Sequence, residues 1–101
     1  MPKGYWIAHV EVTDPEVYKK YLAAHGVACA KYGGRFLVRA GKHRVANGAA
    51  KSRQVVIEFP DYAAALACHD SEEYRRAVEF RDAASASDLV IVEGYDGLQP
   101  G

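Results

Sequence analysis

Three titratable or charged side chains occupy strand-like segments and are candidates for acid–base chemistry. His9 lies mid-strand, and a neutral imidazole can transfer a proton near pH 7. Arg39 and Glu58 lie in two other strand-like segments, where a cation and a carboxylate could bind a substrate carboxylate or enolate. We take His9 as the candidate acid or base, and Arg39 and Glu58 as candidate substrate-binding residues. The alternatives are a hydrogen-bonded interface histidine and a simple salt bridge.

Tyrosines at helical spacing form a second candidate group. Tyr18 and Tyr21 are three residues apart, and Tyr74 opens a later helical segment. Rings in such a set could stack on a planar ligand, so Tyr18 and Tyr74 are candidate substrate-binding residues. The alternative is that they are core residues with one hydroxyl reaching water. Arg81 is either a residue of the pocket mouth or an exposed helix residue.

The cysteines and histidines show no metal-binding or redox spacing. Cys29 and Cys68 are the only cysteines, and no pair among the four histidines has the spacing that places two ligands on one metal ion. We predict that both cysteines are buried free thiols on helices. The sequence also contains no glycine-rich phosphate loop and no dinucleotide fingerprint. We therefore expect no metal and no cofactor.

Length and charge limit the class of protein. The chain has 101 residues, which suits one domain over residues 1–101, and its 13 basic and 13 acidic residues give a net charge of zero. The sequence contains neither a basic block nor a run of charges of one sign, so it does not indicate a nucleic acid or membrane partner. The apolar stretches are far shorter than the roughly 18–20 residues that cross a bilayer, and the first residues show no signal-peptide pattern. We therefore expect a cytoplasmic protein.

Hydrophobic periodicity predicts the element order β-α-β-β-α-β, the split pattern of the ferredoxin-like α+β fold. Right-handed crossovers in this fold put the helices on one face of an antiparallel sheet and leave the other face uncovered. The predicted strands are Tyr5–Val12, Arg35–Ala40, Arg53–Phe59 and Asp88–Gly94; the predicted helices are Pro15–Tyr32, Tyr62–His69 and Glu72–Ala84, with a loop over 41–52 and a turn over Ser85–Ser87.

Period-two alternation assigns the strand residues to two faces. The wholly apolar sets are predicted to face the helices, namely Trp6, Ala8, Val10 and Val12, then Phe36, Val38 and Ala40, then Val55, Ile57 and Phe59, then Val90 and Val92. The mixed sets, which carry His9, Arg39 and Glu58, are predicted to share the uncovered face with Leu89 and Ile91. Because so many large apolar side chains exceed what a monomer usually exposes, we predict that two copies pair through these faces into a homodimer.

Several motifs together resemble those of the DUF1330 family of small bacterial proteins. The resemblance spans about Tyr5 to Gly94, and its motifs are Trp6-Ile7-Ala8-His9-Val10, Thr13-Asp14-Pro15-Glu16, Gly33-Gly34-Arg35-Phe36, Val55-Val56-Ile57-Glu58-Phe59-Pro60 and Ser71 with Glu73 and Tyr74. It implies a dimeric α+β barrel and supplies no activity. Family members often carry a Trp-Tyr pair where this chain has Cys68-His69, which implies a pocket of different size and polarity.

These observations support two hypotheses about function. The first is a cofactor-free enzyme or enzyme-like protein, with a pocket on the sheet face that binds a small apolar or aromatic acid between sheet and helices. Proton-transfer isomerisation and oxygenation of an activated carbanion both suit it. The alternative is a non-catalytic, ligand-binding or stress-related homodimer, in which the charges of the sheet face form interface salt bridges.

Overall fold

The computed structural model describes residues 2–100, which form one antiparallel four-stranded sheet and three helices. The elements are β1 (Gly4–Val12), α1 (Pro15–Lys31), β2 (Arg35–Arg39), β3 (Arg53–Phe59), α2 (Tyr62–Asp70), α3 (Glu72–Ala84) and β4 (Ser85–Glu93). The strand order is β2-β3-β1-β4. This confirms the predicted ferredoxin-like α+β fold. Within residues 2–100, no helix has the length and apolar character needed to cross a membrane.

Side-chain caps fix where the helices begin. A carboxylate oxygen of Asp14 accepts a hydrogen bond from the backbone N–H of Val17 at 3.3 Å, and Asp61 accepts one from Ala64 at 2.8 Å. Ser71 separates α2 from α3 and accepts a hydrogen bond from the N–H of Tyr74 at 3.1 Å. These caps satisfy amide groups that a helix start otherwise leaves unpaired, so α3 starts afresh and holds Tyr74 in its first turn.

The core lies between the sheet and the helices, with Trp6 of β1 at its centre. The Trp6 indole Nε1–H donates a hydrogen bond to the backbone oxygen of Ala65 at 2.9 Å. The Trp6 ring also contacts Tyr74 and Phe59, with centroids 4.9 Å and 5.3 Å away. Trp6 therefore ties β1 to both α2 and α3.

Strand β2 contains a bulge that alternation alone did not predict. Phe36 and Arg39 pair with residues of β3 that face the helices, whereas Val38 pairs with one that faces away. One extra residue near Leu37 exchanges the two faces beyond it. Arg39 therefore lies on the helix-covered face, with its guanidinium carbon 4.3 Å from the centre of the Phe36 ring. The prediction that Arg39 shares a face with Glu58 is wrong for this reason.

Strand β4 begins at Ser85, directly after α3, so the predicted turn is absent. Its two faces are also the reverse of those predicted, because Leu89 and Ile91 pair with the residues of β1 that face the helices. Val90 and Val92 face outward, and Val90 is 59% exposed. The prediction for this strand was wrong because both of its faces carry apolar residues, so polarity could not identify the buried one.

The uncovered face of the sheet has one apolar row between two more polar rows. We call the middle one the apolar row; it crosses all four strands and consists of Val38, Val56, Ile7 and Val90. The row on one side consists of Arg35, Glu58, Tyr5 and Val92, and the row on the other consists of Gln54, His9 and Asp88. The helices therefore leave a continuous apolar surface without cover.

Candidate functional site

A cavity of about 40 Å³ lies between the sheet and helices α1 and α3. Its floor consists of the helix-facing side chains of β1, β3 and β4, among them Trp6, Ala8 and Leu89. Aromatic and aliphatic groups make up most of the wall. The polar groups that line it are Tyr18, Tyr21, His25, Arg53, Tyr74, Arg81 and Ser87. A mainly apolar cavity with a few polar groups is typical of a small-molecule binding site.

Two phenols and a guanidinium form a hydrogen-bonded chain along the cavity. The hydroxyl oxygens of Tyr21 and Tyr74 are 3.0 Å apart, and Arg81 Nη1 donates to the Tyr74 hydroxyl oxygen at 3.2 Å. Burial raises the pKa of Tyr21, and the neighbouring Tyr74 raises it further, so Tyr21 is protonated at neutral pH. Because Arg81 can only donate, the Tyr74 proton points either to Tyr21 or into the cavity.

His25 of α1 is a third titratable group of the cavity, and only 5% of it is exposed. Burial is the main cause that lowers the pKa of His25, the positive charges of Arg39 and Arg53 add to it, and together they bring it to about 4. The imidazole is therefore neutral at pH 7, and its Nε2 lies within hydrogen-bonding distance of the Cys29 Sγ, at 3.5 Å. His25 shares the buried face of α1 with Tyr18 and Tyr21, as their helical spacing indicates, whereas its position near two arginines depends on strands distant in sequence.

Arg53, the first residue of β3, is, like His25, a functional candidate that the sequence motifs did not indicate. Its guanidinium carbon lies 5.5 Å from the centre of the Tyr18 ring. Its Nε is buried and has no hydrogen-bond partner among residues 2–100. The alternation of strand residues does indicate that Arg53 faces inward, because it lies two and four residues from the inward-facing Val55 and Ile57.

The charged residues that line the cavity are all arginines. Arg53 and Arg81 line it, Arg39 lies at its β2 side close enough to shift the pKa of His25, and none of the described lining residues is an aspartate or glutamate. A mainly apolar cavity lined by cations favours an anionic ligand, because charges interact more strongly there than in bulk water.

His9 lies on the opposite, uncovered face of the sheet, and both of its ring nitrogens have partners. Nε2 is 2.9 Å from a carboxylate oxygen of Asp88, and Nδ1 accepts a hydrogen bond from the backbone N–H of Lys51 at 3.0 Å. The Lys51 ammonium also pairs with Asp88 and lowers the pKa of that carboxyl, with a smaller contribution from His9. His9 therefore fastens the end of the loop over 41–52 to the sheet.

Glu58 also lies on the uncovered face. It accepts hydrogen bonds from Arg35 Nε and from the Tyr5 hydroxyl, each at 3.1 Å. Among the candidate site residues, the structure therefore brings Tyr18 and Tyr74 together at the cavity and places Arg39 beside them. It separates His9 and Glu58 from that group by the thickness of the sheet.

The segment Cys68-His69 lies behind the cavity wall. The His69 ring packs against Trp6 and Tyr74, with centroids 5.9 Å and 5.3 Å away. Cys29 and Cys68 are buried free thiols, as predicted. A hydrogen bond with Cys68 raises the pKa of Cys29, and burial raises it further. Within residues 2–100, no group of three or more histidine, cysteine or acidic side chains is arranged to hold a metal ion.

Together, the split βαβ order, the single helix layer and the cavity beneath it match the fold of the dimeric α+β barrel proteins. The chain belongs to the family described as "Domain of unknown function (DUF1330)", whose model matches residues 3–95. This confirms the resemblance seen in the sequence motifs.

Solved structures share this fold at low sequence identity. The methylated RPA0582 protein superposes with a TM-score of 0.77 at 21% identity, over 99% of this chain and 84% of that one. A second structure of RPA0582, a protein of unknown function from Rhodopseudomonas palustris, gives 0.76 at 20% identity, over 98% and 85%. SnoaB, a cofactor-independent oxygenase from Streptomyces nogalater, gives 0.62 at 14% identity, over 99% and 100%. No curated protein sequence matches the chain significantly.

Proposed function

We propose that this protein binds a small apolar or aromatic molecule in the cavity between its sheet and helices, and that it works as a homodimer. The observation that carries the proposal is the cavity itself, in which aromatic and aliphatic walls surround a few convergent polar groups. Tyr18 and Tyr74, the tyrosines expected to contact a ligand, both line it.

The volume of the cavity sets a condition on binding. At about 40 Å³ it is much smaller than the roughly 300–1,000 Å³ of a typical ligand pocket. A ligand with an aromatic ring must therefore displace side chains. Arg53 and Arg81 are long, flexible and only half-buried, so they are the lining residues that move at least cost.

The chemistry that this site suits is proton transfer without a cofactor. Loss of a proton from the ligand begins both isomerisation and oxygenation of a carbanion, and the Tyr21–Tyr74 pair and neutral His25 are groups that can exchange protons there. SnoaB, of the same fold, is a cofactor-independent oxygenase, so this architecture can support catalysis without a cofactor. At 14% identity, that likeness assigns no reaction to this chain.

The apolar row supports the homodimer. Its side chains are partly or largely exposed in a single copy, with Ile7 at 47% and Val90 at 59%. Burying each against a second copy contributes about 1–2 kcal/mol. The flanking rows carry charged residues that already have partners within the chain, such as Glu58 with Arg35 and His9 with Asp88. An apolar centre with a polar rim is the usual anatomy of a protein interface.

The binding proposal is tested with benzamide, a neutral and planar probe. Trp6 is the lone tryptophan and lines the cavity, so its indole ¹H–¹⁵N resonance reports directly on an occupant. We expect benzamide at millimolar concentration to shift that resonance in a saturable way. In the variant Ala8→Leu, the larger side chain fills the cavity, and the shift should disappear.

Ala23→Leu is the matched control, because Ala23 is exposed on α1 and the substitution adds the same volume away from the cavity. It should leave the titration unchanged. Equal shifts in wild type and a folded Ala8→Leu variant place the probe outside the cavity and contradict the proposal. The absence of any shift in the wild type also contradicts it.

A second candidate function, the non-catalytic homodimer with structural sheet-face charges, is favoured by the contacts of His9. Both of its ring nitrogens have partners, so neither is free to exchange a proton with a ligand. On this reading, His9→Ala and Glu58→Ala weaken dimerisation in sedimentation experiments and leave probe binding in the cavity unchanged. Loss of turnover with an intact dimer in His9→Ala would instead support a catalytic His9.

A further inference from the structure

The residues that line the cavity support a more specific inference, which rests on the proposed binding function. We propose that its ligand is an acid, and that a carboxylate of the ligand binds between Arg53 and Arg81 while the apolar or aromatic body lies against Trp6 and Tyr18. This assigns the anion-binding role to two residues other than Arg39 and Glu58.

The register of the sheet places one side of this anion site. Val10 of β1 pairs with Arg53 on one side and with Ser87 on the other, so these three residues form a single row across β3, β1 and β4. All three line the cavity. The next rows along the same face are apolar, with Val55, Ala8 and Leu89 in one and Ile57 and Trp6 in the other. The floor of the cavity is therefore polar at one end and apolar along the rest.

Helix α3 places the second cation over the same cavity. Arg81 donates to the Tyr74 hydroxyl at 3.2 Å and to a carboxylate oxygen of Asp82 at 3.1 Å and 3.2 Å. Arg53 and Arg81 both line this cavity, with the guanidinium carbon of Arg53 5.5 Å from the centre of the Tyr18 ring and Arg81 hydrogen-bonded to Tyr74, so we place one small anion between them. Guanidinium groups are well suited to a carboxylate, because each offers several N–H donors in a fixed plane.

Arg53 has a hydrogen-bond donor without an acceptor in the described part of the chain. Its Nε is buried without a partner among residues 2–100, and a buried donor without an acceptor is unfavourable. A carboxylate in the cavity supplies the missing acceptor, together with negative charge. Arg81 is partly neutralised by Asp82, whose side chain is largely exposed at 66%. Arg53 is therefore the stronger anchor, and Arg81 the second.

Arg39 and Glu58 do not form an equivalent site. Arg39 is exposed at the β2 edge and stacks on Phe36, outside the set of lining residues. Glu58 faces away from the cavity and is paired with Arg35. Neither Arg39 nor Glu58 therefore provides a ligand carboxylate in the cavity with a buried donor comparable with Arg53 Nε.

The experiment compares benzoate with benzamide, which have nearly the same shape and differ in charge. Both are titrated into the full chain while the indole resonance of Trp6 is followed. We expect benzoate to bind at least about tenfold more tightly than benzamide, as befits charge-assisted hydrogen bonds to a guanidinium. Arg53→Gln should lower the affinity for benzoate about tenfold and leave that for benzamide nearly unchanged. Arg81→Gln should act in the same direction with a smaller loss.

Arg75→Gln is the matched control, because Arg75 is an exposed arginine on α3 and the substitution removes the same charge. It should leave both affinities unchanged. Equal affinities of the wild type for benzoate and benzamide overturn the anion site and leave the binding proposal intact. Loss of the benzoate preference in Arg75→Gln equal to that in Arg53→Gln also overturns it, because the preference then comes from net charge alone. If neither compound moves the Trp6 resonance, both proposals fail.

Discussion

The residue whose titration changes most clearly on folding is His25. Its pKa falls from 6.5 to about 4, because burial removes water from the charged form and Arg39 and Arg53 repel it. Above pH 6.5 the imidazole is neutral in both states, and its full contribution to stability is present. Between pH 6.5 and 4 the unfolded chain binds a proton that the folded chain does not, so the free energy of unfolding decreases as the pH is lowered. The total loss is about 3 kcal/mol.

The variant His25→Gln isolates this contribution. The Gln side chain does not titrate, so the variant should lose about 3 kcal/mol less stability than the wild type between pH 7 and pH 4 in urea unfolding. His43→Gln, at an exposed position of the loop over 41–52, should follow the wild-type curve. Parallel pH curves for wild type and His25→Gln would show that the buried imidazole is not the source of the pH dependence.

At the scale of elements, the bulge in β2 decides which charges reach the cavity. By turning Arg39 to the helix-covered face, it brings a cation close enough to lower the pKa of His25, whereas Arg35 stays on the uncovered face with Glu58. Removing the charge in Arg39→Gln should therefore raise the pKa of His25 by a fraction of a unit, followed through the imidazole ¹H–¹³C resonances. Arg35→Gln, on the same strand but the opposite face, should leave it unchanged. The reverse result would contradict the bulge.

The same strands show what the sequence could and could not predict. Helix starts were predictable because Asp14, Asp61 and Ser71 are capping residues whose effect is local. The buried faces of β1 and β3 were predictable because one parity is wholly apolar from Trp6 to Val10 and from Val55 to Phe59.

The errors arose where the deciding contact is not local. The bulge at Leu37 depends on how β2 meets β3, and alternation within β2 carries no trace of it. In β4, where Val90 and Leu89 are equally apolar, only the pairing with β1 selects the buried face. The candidate site shifted from His9 to the helix-covered side for the same reason, since the polar residues of the cavity come from four elements distant in sequence.

For the whole molecule, helices on only one face of the sheet leave the other face exposed as a large surface. The chain measures 45 × 34 × 16 Å, so the uncovered face of the sheet is one of its two broad sides. The apolar row crosses the middle of that side through all four strands. A monomer exposes this surface to water, and the cavity lies on the other face of the sheet.

The last prediction therefore concerns the oligomeric state. We expect the wild type to sediment as a dimer at micromolar concentration. Ile7→Glu places a charge in the apolar row of each subunit. Losing the burial of two isoleucines at roughly 1.4 kcal/mol each weakens dimerisation about 100-fold or more. Val27→Glu is the control, because Val27 is 63% exposed on α1, away from the sheet, and should leave the dimer intact. A wild type that remains monomeric at these concentrations would show that the apolar row does not mediate self-association.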